Sequence, residues 1–393
     1  MKILHFTTSL DCNAGGTVRA LIDLANSLTA IGHTVVVVTA DSSPTPPEWL
    51  GGGAHPTVIH AGQLRLFGLV FSRPARRLLA REIRGADVVH THGAWSYANI
   101  LVCRMAARLG KPYVISLHGM LDAWPMSQKR GKKRLFLALV GTRWLAGASR
   151  IHLAAQLEFE QSRRWFPESL GLVIPNLLDM KPFRRLPDAG SVAPMLARLN
   201  AARPRVLFLS RLHPKKGLEV LLRAAALLKS RDKPVSVVVA GDGPPEYVAA
   251  LKTLAKKLGL GDDEVIFLGS VTGEPKLALF RGCDVFALPT HHENFGYVLV
   301  EALACGLCAI TTRAVAIASE LHATGATVIA EATPDEFADA IEELLSDRAA
   351  LRVRAEAGRL QAFRWFDGEQ IIRRYEQMYS GCVGAADARS RSE

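Results

Sequence analysis

Two α/β domains in tandem, each a parallel, doubly wound sheet, is the fold class this sequence predicts. Three observations carry that expectation. The chain has 393 residues, enough for two domains of ordinary size that each bury a core. Short runs rich in valine, isoleucine and leucine alternate with segments of helical spacing, and helices between buried strands mean parallel sheets. The alternation lapses between Asn176 and Ala202, where Pro182, Pro187 and Pro194 fall, and restarts at Arg205.

The elements follow in order. Ile3 to Thr7 reads as a strand. Thr17 to Ala30 has helical spacing at Val18, Leu21, Ile22, Leu24, Ala25 and Leu28, and Gly32-His33 ends it. Thr34 to Ala40 is a buried strand, and Thr57 to His60 another. Asp87 to His92 is a strand running into a loop, Ala98 to Leu109 a helix stopped by Gly110, and Pro112 to Leu117 a strand. Ser149 to Leu153 and Gly171 to Asn176 complete the first set. In the second, Arg205 to Ser210, Val235 to Ala240, Val265 to Leu268 and Asp284 to Thr290 are strands. Gly217 to Lys229, Tyr247 to Leu258, Leu277 to Arg281 and Val298 to Ala304 are helical. The expected organisation is an N-terminal Rossmann-like domain at 1–180 and a linker with a lead-in helix at 181–202. A C-terminal Rossmann-like domain follows at 203–364, then a closing helix at 365–381 and a disordered tail at 382–393. The two domains are expected to face each other across a cleft.

Composition narrows the class. With 49% hydrophobic and 22% charged residues the chain reads as a soluble globular protein, and no run of about 18 apolar residues suggests a membrane span. The first residues are too few and too polar for a signal peptide and read as a strand. Six scattered cysteines fit a reducing cytoplasm. Cys305-Gly306-Leu307-Cys308 matches C-x-x-C, but it lies at the far end of a helix, where two small apolar side chains are the plainer reading.

The net charge of +11 is uneven: residues 1–180 hold 20 Lys and Arg against 11 Asp and Glu. Arg73, Arg76, Arg77, Arg81 and Arg84 share one helix with Leu78, Leu79 and Ile83. Lys129, Arg130, Lys132, Lys133 and Arg134 precede Leu135-Phe136-Leu137. Basic residues beside apolar ones suit an anionic membrane surface or a polyanionic substrate, and a solvated helix face is the plain alternative. Taken together the two clusters favour the membrane surface. Nucleic acid is not expected, since there is no recognition motif and no interleaving of basic and aromatic residues.

The most informative stretch is Glu293-Asn294-Phe295-Gly296-Tyr297-Val298-Leu299-Val300-Glu301. A strand, a polar loop and a helix start put Glu293 at the carboxyl edge of a sheet, with unpaired amides around Asn294 to Tyr297. Such amides attract anions or polar oxygens, the chemistry that holds a sugar diphosphate. Arg211 and Lys216 flank Leu212 to Lys215 just past another strand, with Gly217 next, and two cations there can clamp a diphosphate and stabilise its departure. Gly15-Gly16 at the first helix lets a ligand approach the backbone, though Asn13 to Arg19 fits neither G-x-G-x-x-G nor a P-loop, and a structural turn alone is the serious alternative. His118 ends a strand and should face the cleft. His90 and His92 are expected to line it as polar groups, because no third metal ligand appears at useful spacing. No Asp-x-Asp occurs, so no bridging metal is expected.

At these residues the chain resembles the retaining glycosyltransferases of family 4 (glycosyl transferases group 1), which have the GT-B fold, from Ile3 to Tyr379. The motifs are Glu293-x7-Glu301 with Phe295-Gly296, Arg211 to Lys216-Gly217, and Gly241-Asp242-Gly243. Ser116-Leu117-His118-Gly119-Met120-Leu121, with Lys132-Lys133, is similar to a subgroup that builds bacterial exopolysaccharide and O-antigen chains. The chain departs at Gly306-Leu307-Cys308, where members often carry Gly-x-Pro, and in Thr312 to Ile317, where they often carry Gly or Pro. The resemblance implies that Glu301 binds ribose hydroxyls, and that Glu293 with the amides of Asn294, Phe295 and Gly296 holds the donor sugar. Arg211 and Lys216 would take the diphosphate, helped by amides of Tyr297 and Val298, and the base would lie near Gly269-Ser270-Val271. Gly16 would sit near the phosphates and acceptor, and His118 near the donor sugar. Glu293, His118, Arg211 and Lys216 are the catalytic candidates. The last helix would cross back onto the N-terminal, acceptor-binding domain.

The expected function is therefore transfer of a sugar from a nucleotide diphosphate sugar to a hydroxyl acceptor with retention, by a hexosyltransferase-type enzyme that needs no metal and no cofactor beyond its donor. The acceptor is expected to be a lipid-linked glycan in bacterial surface polysaccharide biosynthesis, met in the cytoplasm at the inner face of the membrane. A nucleotide-sugar epimerase, which would need no acceptor, and a non-catalytic sugar-nucleotide-binding protein are the alternatives.

Overall fold

Parallel pairing runs through both sheets of the computed structural model, which describes residues 1–11, 15–51, 54–62 and 72–392. The chain divides into two units, 1–179 with 368–393, and 180–367.

In the first unit β1 (Lys2–Thr7), β2 (Thr34–Thr39), β3 (Thr57–His60), β4 (Val88–His92), β5 (Tyr113–Ser116), β6 (Arg150–Leu153) and β7 (Gly171–Val173) lie in the order β3-β2-β1-β4-β5-β6-β7. Successive side chains alternate between the faces of a strand. Leu4, Phe6, Val89, Ile115 and Ile151 therefore share one face, packed with Leu79, Ile83, Ile100 and Val102 from the helices Arg73–Gly85 and Tyr97–Arg108. The other face carries His5, His90, His92, Ser116 and His152, all buried. The register explains their meeting: His5 stands opposite His90, His92 opposite Ser116, and Ser116 opposite His152. The last helix, Gly368–Ser392, covers this polar face with the fully buried Tyr375 and Tyr379.

In the second unit β8 (Arg205–Leu209), β9 (Ser236–Ala240), β10 (Val265–Phe267), β11 (Val285–Leu288), β12 (Cys308–Thr311) and β13 (Thr327–Ile329) lie in the order β10-β9-β8-β11-β12-β13. Val237–Val239 and Val285–Leu288 are wholly buried, as strands covered on both faces must be. The order reverses between β8 and β11, so ligands are expected at the carboxyl ends of those strands.

Residues 181–202, expected as a linker with a lead-in helix, form short turns and the helix Ala193–Leu196, and Val192, Leu196 and Leu199 are buried. They press on the helix Gly273–Gly282, where a Cβ on Gly282 would come 2.9 Å from Val192 Cγ2. The tail read as disordered continues the last helix to Ser392. Extending an existing helix needs no new nucleus, so Gly381 and Gly384, at about 1 kcal/mol each, do not stop it. Helices at Arg130–Phe136, Thr142–Ala146, Pro334–Ser346 and Arg348–Trp365 join those expected.

Candidate functional site

At the reversal in the second unit, the loops after β8 and β11 are locked side by side. Gly217 has φ 70°, and a Cβ there would lie 2.0 Å from the Pro289 carbonyl oxygen, so only glycine fits. The Lys215 carbonyl accepts from Thr290 Oγ1 at 3.0 Å and from the His291 amide at 2.8 Å. This places the buried Lys216 so that its ammonium pairs with the Glu293 carboxylate. Glu293 is fixed in turn: its amide donates to the Ala314 carbonyl and its carbonyl accepts from the Ala316 amide, both at 3.0 Å. Thr312 Oγ1 donates to the Thr290 carbonyl at 2.6 Å.

Gly296, at φ 92°, opens the helix Tyr297–Ala304, which has no side-chain cap among the described residues and no acidic residue in its first turn. The Leu299 amide turns back to the Gly296 carbonyl at 2.9 Å, and the positive end of the helix dipole favours an anion there. Phe295 contributes only backbone here, since its ring is buried against Tyr297 and Phe366. The Asn294 Oδ1 is buried without a hydrogen-bond partner among the described residues.

The electrostatics favour an anion. Burial pushes the Glu293 carboxyl up, but Lys216, by charge and hydrogen bond, and then Lys215 and His292 bring it below its ordinary range. Burial, then the charges of Lys216 and Arg211, lower Lys215. Burial, then Lys215, lowers His292 to about 4. Arg211 stands exposed on the same loop. The loops after β9 and β10 adjoin it: the Leu212 amide donates to the Asp242 carbonyl at 2.7 Å, and the Gly241 amide to the Gly269 carbonyl at 2.7 Å. Val271, half-buried, follows two residues later. Glu301 lies four residues into its helix, buried, with its carboxylate 2.6 Å from Lys276 Nζ.

In the first unit Gly16 begins the helix Gly16–Ala30, after Gly15 at φ 106°, and among the described residues that helix also lacks a side-chain cap and a first-turn acid. Asn13 and Ala14 lie outside the described residues. His118 takes the left-handed conformation, φ 52°, rare for a residue with a side chain. Glu158 holds the turn that follows, its carboxyl accepting from the amides of Gly119 and Ala154. Burial raises Glu158 and Asp122 to about 8, with Asp122 adding to the shift of Glu158.

Behind His118 runs a chain of buried rings. His118 Nε2 is 3.0 Å from His92 Nδ1, and His92 Nε2 is 3.0 Å from His5 Nδ1. A second chain links Tyr379 Oη to His90 Nδ1 (2.7 Å), His90 Nε2 to Ser116 Oγ (2.7 Å), Ser116 Oγ to His152 Nδ1 (2.6 Å) and His152 Nε2 to the Ile174 carbonyl (2.8 Å). His90 and His92 are thus buried in the sheet and not polar groups at its edge. The third histidine that the sequence lacked is His5: ligand nitrogens of His5, His90 and His92 lie within 4.8 Å of one another. Both nitrogens of His90 and of His92 are already hydrogen-bonded, so an ion there would have to break those bonds. Cys305 and Cys308 are buried free thiols, pushed up by burial to about 12 and about 11, in keeping with packing roles.

The carboxyl edge of the second sheet therefore gathers Arg211, Lys216, Val271, Glu293, Asn294, Phe295, Gly296, Tyr297, Val298 and, one turn deeper, Glu301. Gly16 and His118 stand at the carboxyl edge of the first. Lys276, Thr312, Glu158 and His5 were missed, because each meets its partner through packing of distant segments.

Comparison with known proteins places these features in context. A model described as Glycosyltransferase Family 4 matches residues 14–181, and one described as Glycosyl transferases group 1 matches residues 197–361. The chain is 34% identical to a D-inositol 3-phosphate glycosyltransferase of Saccharomonospora viridis, over 56% of this chain and 53% of that one. It is 29% identical to the D-rhamnosyltransferase WbpZ of Pseudomonas aeruginosa, over 88% of this chain and 86% of that one. The crystal structure of Anabaena HepE in complex with UDP-glucose is similar in fold, with a TM-score of 0.78, 23% identity and coverage of 97% and 99%.

Proposed function

Because the chain belongs to the glycosyltransferases, with a family 4 domain followed by a group 1 domain in the GT-B fold, we propose that it moves a sugar from a nucleotide diphosphate sugar to a hydroxyl acceptor, with retention and without a metal. The observation that carries this reading is the Lys216–Glu293 pair at the strand-order reversal, beside an uncapped helix start. Lys216, Arg211 and the first amides of the helix Tyr297–Ala304 would hold the diphosphate and its growing charge as the bond to the sugar breaks. Glu293, Asn294 and the neighbouring amides would hold the sugar hydroxyls, and Glu301 the ribose. The departing phosphate oxygen takes the acceptor's proton as the new glycosidic bond forms on the same face. UDP in the HepE complexes supports a nucleotide diphosphate as the donor class.

Thermal shift with UDP, GDP, ADP, CMP and their sugar conjugates tests this. One nucleotide diphosphate should stabilise the chain, and Lys216→Ala and Glu301→Ala should each abolish most of the shift. Stabilisation that survives both substitutions would reject the site.

For the acceptor we propose a lipid-linked glycan met at an anionic membrane surface. Support comes from Leu135 and Leu139, 60% and 70% exposed, beside the exposed Lys129, Arg130, Lys132 and Arg134. Basic residues with exposed apolar neighbours suit a surface helix on anionic lipid. On the helix Arg73–Gly85, by contrast, Leu79 and Ile83 are buried and the arginines alone face out. No helix among the described residues is long and apolar enough to cross a membrane. Binding to phosphatidylglycerol vesicles should fall in Leu135→Ser/Leu139→Ser; equal binding would reject this face.

A further inference from the structure

We propose that His5 and His92 are positioning residues that fix the ring of His118 in one tautomer, with its proton on Nδ1, so that His118 acts as a hydrogen-bond donor. The tautomer follows from the geometry of three buried, neutral rings. Its recipient, an oxygen of a sugar or phosphate substrate, rests on the function proposed above.

Each nitrogen–nitrogen contact in the chain His5–His92–His118 needs one proton, and a neutral imidazole carries one. The rings are neutral because burial lowers all three, His5 and His118 to about 3. Two orders are then available. In one, His5 Nδ1–H donates to His92 Nε2, and His92 Nδ1–H donates to His118 Nε2. In the other, every donor is reversed. They differ at the far end, where His5 Nε2 is buried without a hydrogen-bond partner among the described residues. The reversed order would leave an N–H there with no acceptor. The first order leaves only a lone pair. Orphaned buried N–H groups are rarer than underused acceptors, so the first order holds. His118 then keeps its proton on Nδ1, which makes no hydrogen bond among the described residues.

The neighbouring chain cannot supply a different proton. His152 Nε2 lies 2.8 Å from the Ile174 carbonyl, which only accepts, and 2.9 Å from the Tyr375 hydroxyl, so with the carbonyl contact kept His152 donates from Nε2 and accepts at Nδ1 from the Ser116 hydroxyl. Ser116 accordingly accepts from His90 Nε2–H, and His90 Nδ1 accepts from the Tyr379 hydroxyl. Both nitrogens of His90 are spent, and the His5 chain stands by itself. Donors in series polarise one another, so the terminal N–H of His118 is strengthened as well as aimed.

Ring 15N–1H spectra of the histidine-labelled full chain at neutral pH provide the test, with His118 assigned from its loss in His118→Ala. The wild type should show His118 protonated on Nδ1. His5→Leu removes the first donor, and a second His118 form protonated on Nε2 should appear. His5→Asn puts an amide N–H where Nδ1–H stood and should restore the wild-type form. With a sugar donor that is turned over, kcat/KM should fall about tenfold in His5→Leu, the worth of one oriented hydrogen bond, and recover in His5→Asn. A wild-type His118 protonated on Nε2, or a His118 signal unchanged in His5→Leu, overturns the proposal. The expected spectra in a chain that transfers no sugar would uphold the relay and count against the proposed function instead.

Discussion

Mild acid should unfold the first unit through its five buried histidines. His5 and His118 are lowered to about 3 and His152 to about 4, in each case chiefly by burial. His90 and His92 are also held well below the ordinary histidine value, by burial and then by neighbouring rings. A base whose folded value is depressed gives stability that is present above its unfolded value, near 6.5, and lost as pH falls below it. Between pH 6.5 and 4.5 the unfolded chain takes up a proton at each ring and the folded chain does not, at about 2 kcal/mol per ring. Asp122 and Glu158 oppose this. Raised to about 8 by burial, they favour the folded state more as pH falls toward their unfolded values, returning about 2 kcal/mol each over the same window. The net loss is about 6 kcal/mol, comparable to the whole stability of an ordinary domain.

Five of the six tryptophans, Trp49, Trp95, Trp124, Trp144 and Trp165, lie in the first unit, so fluorescence during urea unfolding reports mainly on it. The urea midpoint should be roughly 2 M lower at pH 4.5 than at pH 6.5. An equal midpoint, or a higher one at pH 4.5, would mean that the rings are charged or solvated and would refute the reasoning.

Three further outcomes follow from the same contacts. Stability held by the raised carboxyls is present at low pH and is lost as pH rises from their unfolded values to about 8, so Glu158→Gln should flatten the fall in melting temperature between about pH 6.5 and 8. Lys216→Ala removes the cation that holds Glu293 ionised; affinity for the preferred nucleotide diphosphate should drop about tenfold or more by calorimetric titration, roughly the 1.5–3 kcal/mol of a charged hydrogen bond. Gly217→Ala sets a Cβ against the Pro289 carbonyl at a positive φ, and should cost about 2 kcal/mol or more with a matching loss of nucleotide binding.

The second unit's site was legible because its residues are local in sequence. Lys216 and Glu293 each follow a strand rich in apolar residues, and a sheet whose order reverses puts two such loops together. Its supports were not legible. Lys276 reaches Glu301 from the helix Gly273–Gly282 through its long side chain, and nothing in the spacing of two residues 25 apart requires it. In the segment 181–202 the prolines drew the eye and the apolar side was passed over. Pro182 and Pro194 open short helical turns, where proline is tolerated, while Val192, Leu196 and Leu199 supply an apolar side.

The first unit hid more, and for a different reason. Alternation in β1 and β4 says that His5, His90 and His92 share a face, but strands of a sheet buried on both sides ordinarily present apolar residues to both. Polar rings on one face demand partners, since a buried group left without one costs about 1–3 kcal/mol. The partners come from the far end of the chain. Tyr375 and Tyr379 are four residues apart, so their hydroxyls leave one side of the last helix and reach His152 and His90. That pair was the available signal. Two tyrosines at helical spacing, in a chain with unsatisfied histidines on its first strands, indicate which sheet the last helix must cover. The same contact explains why residues 368–393 group with the first unit although they follow the second in sequence.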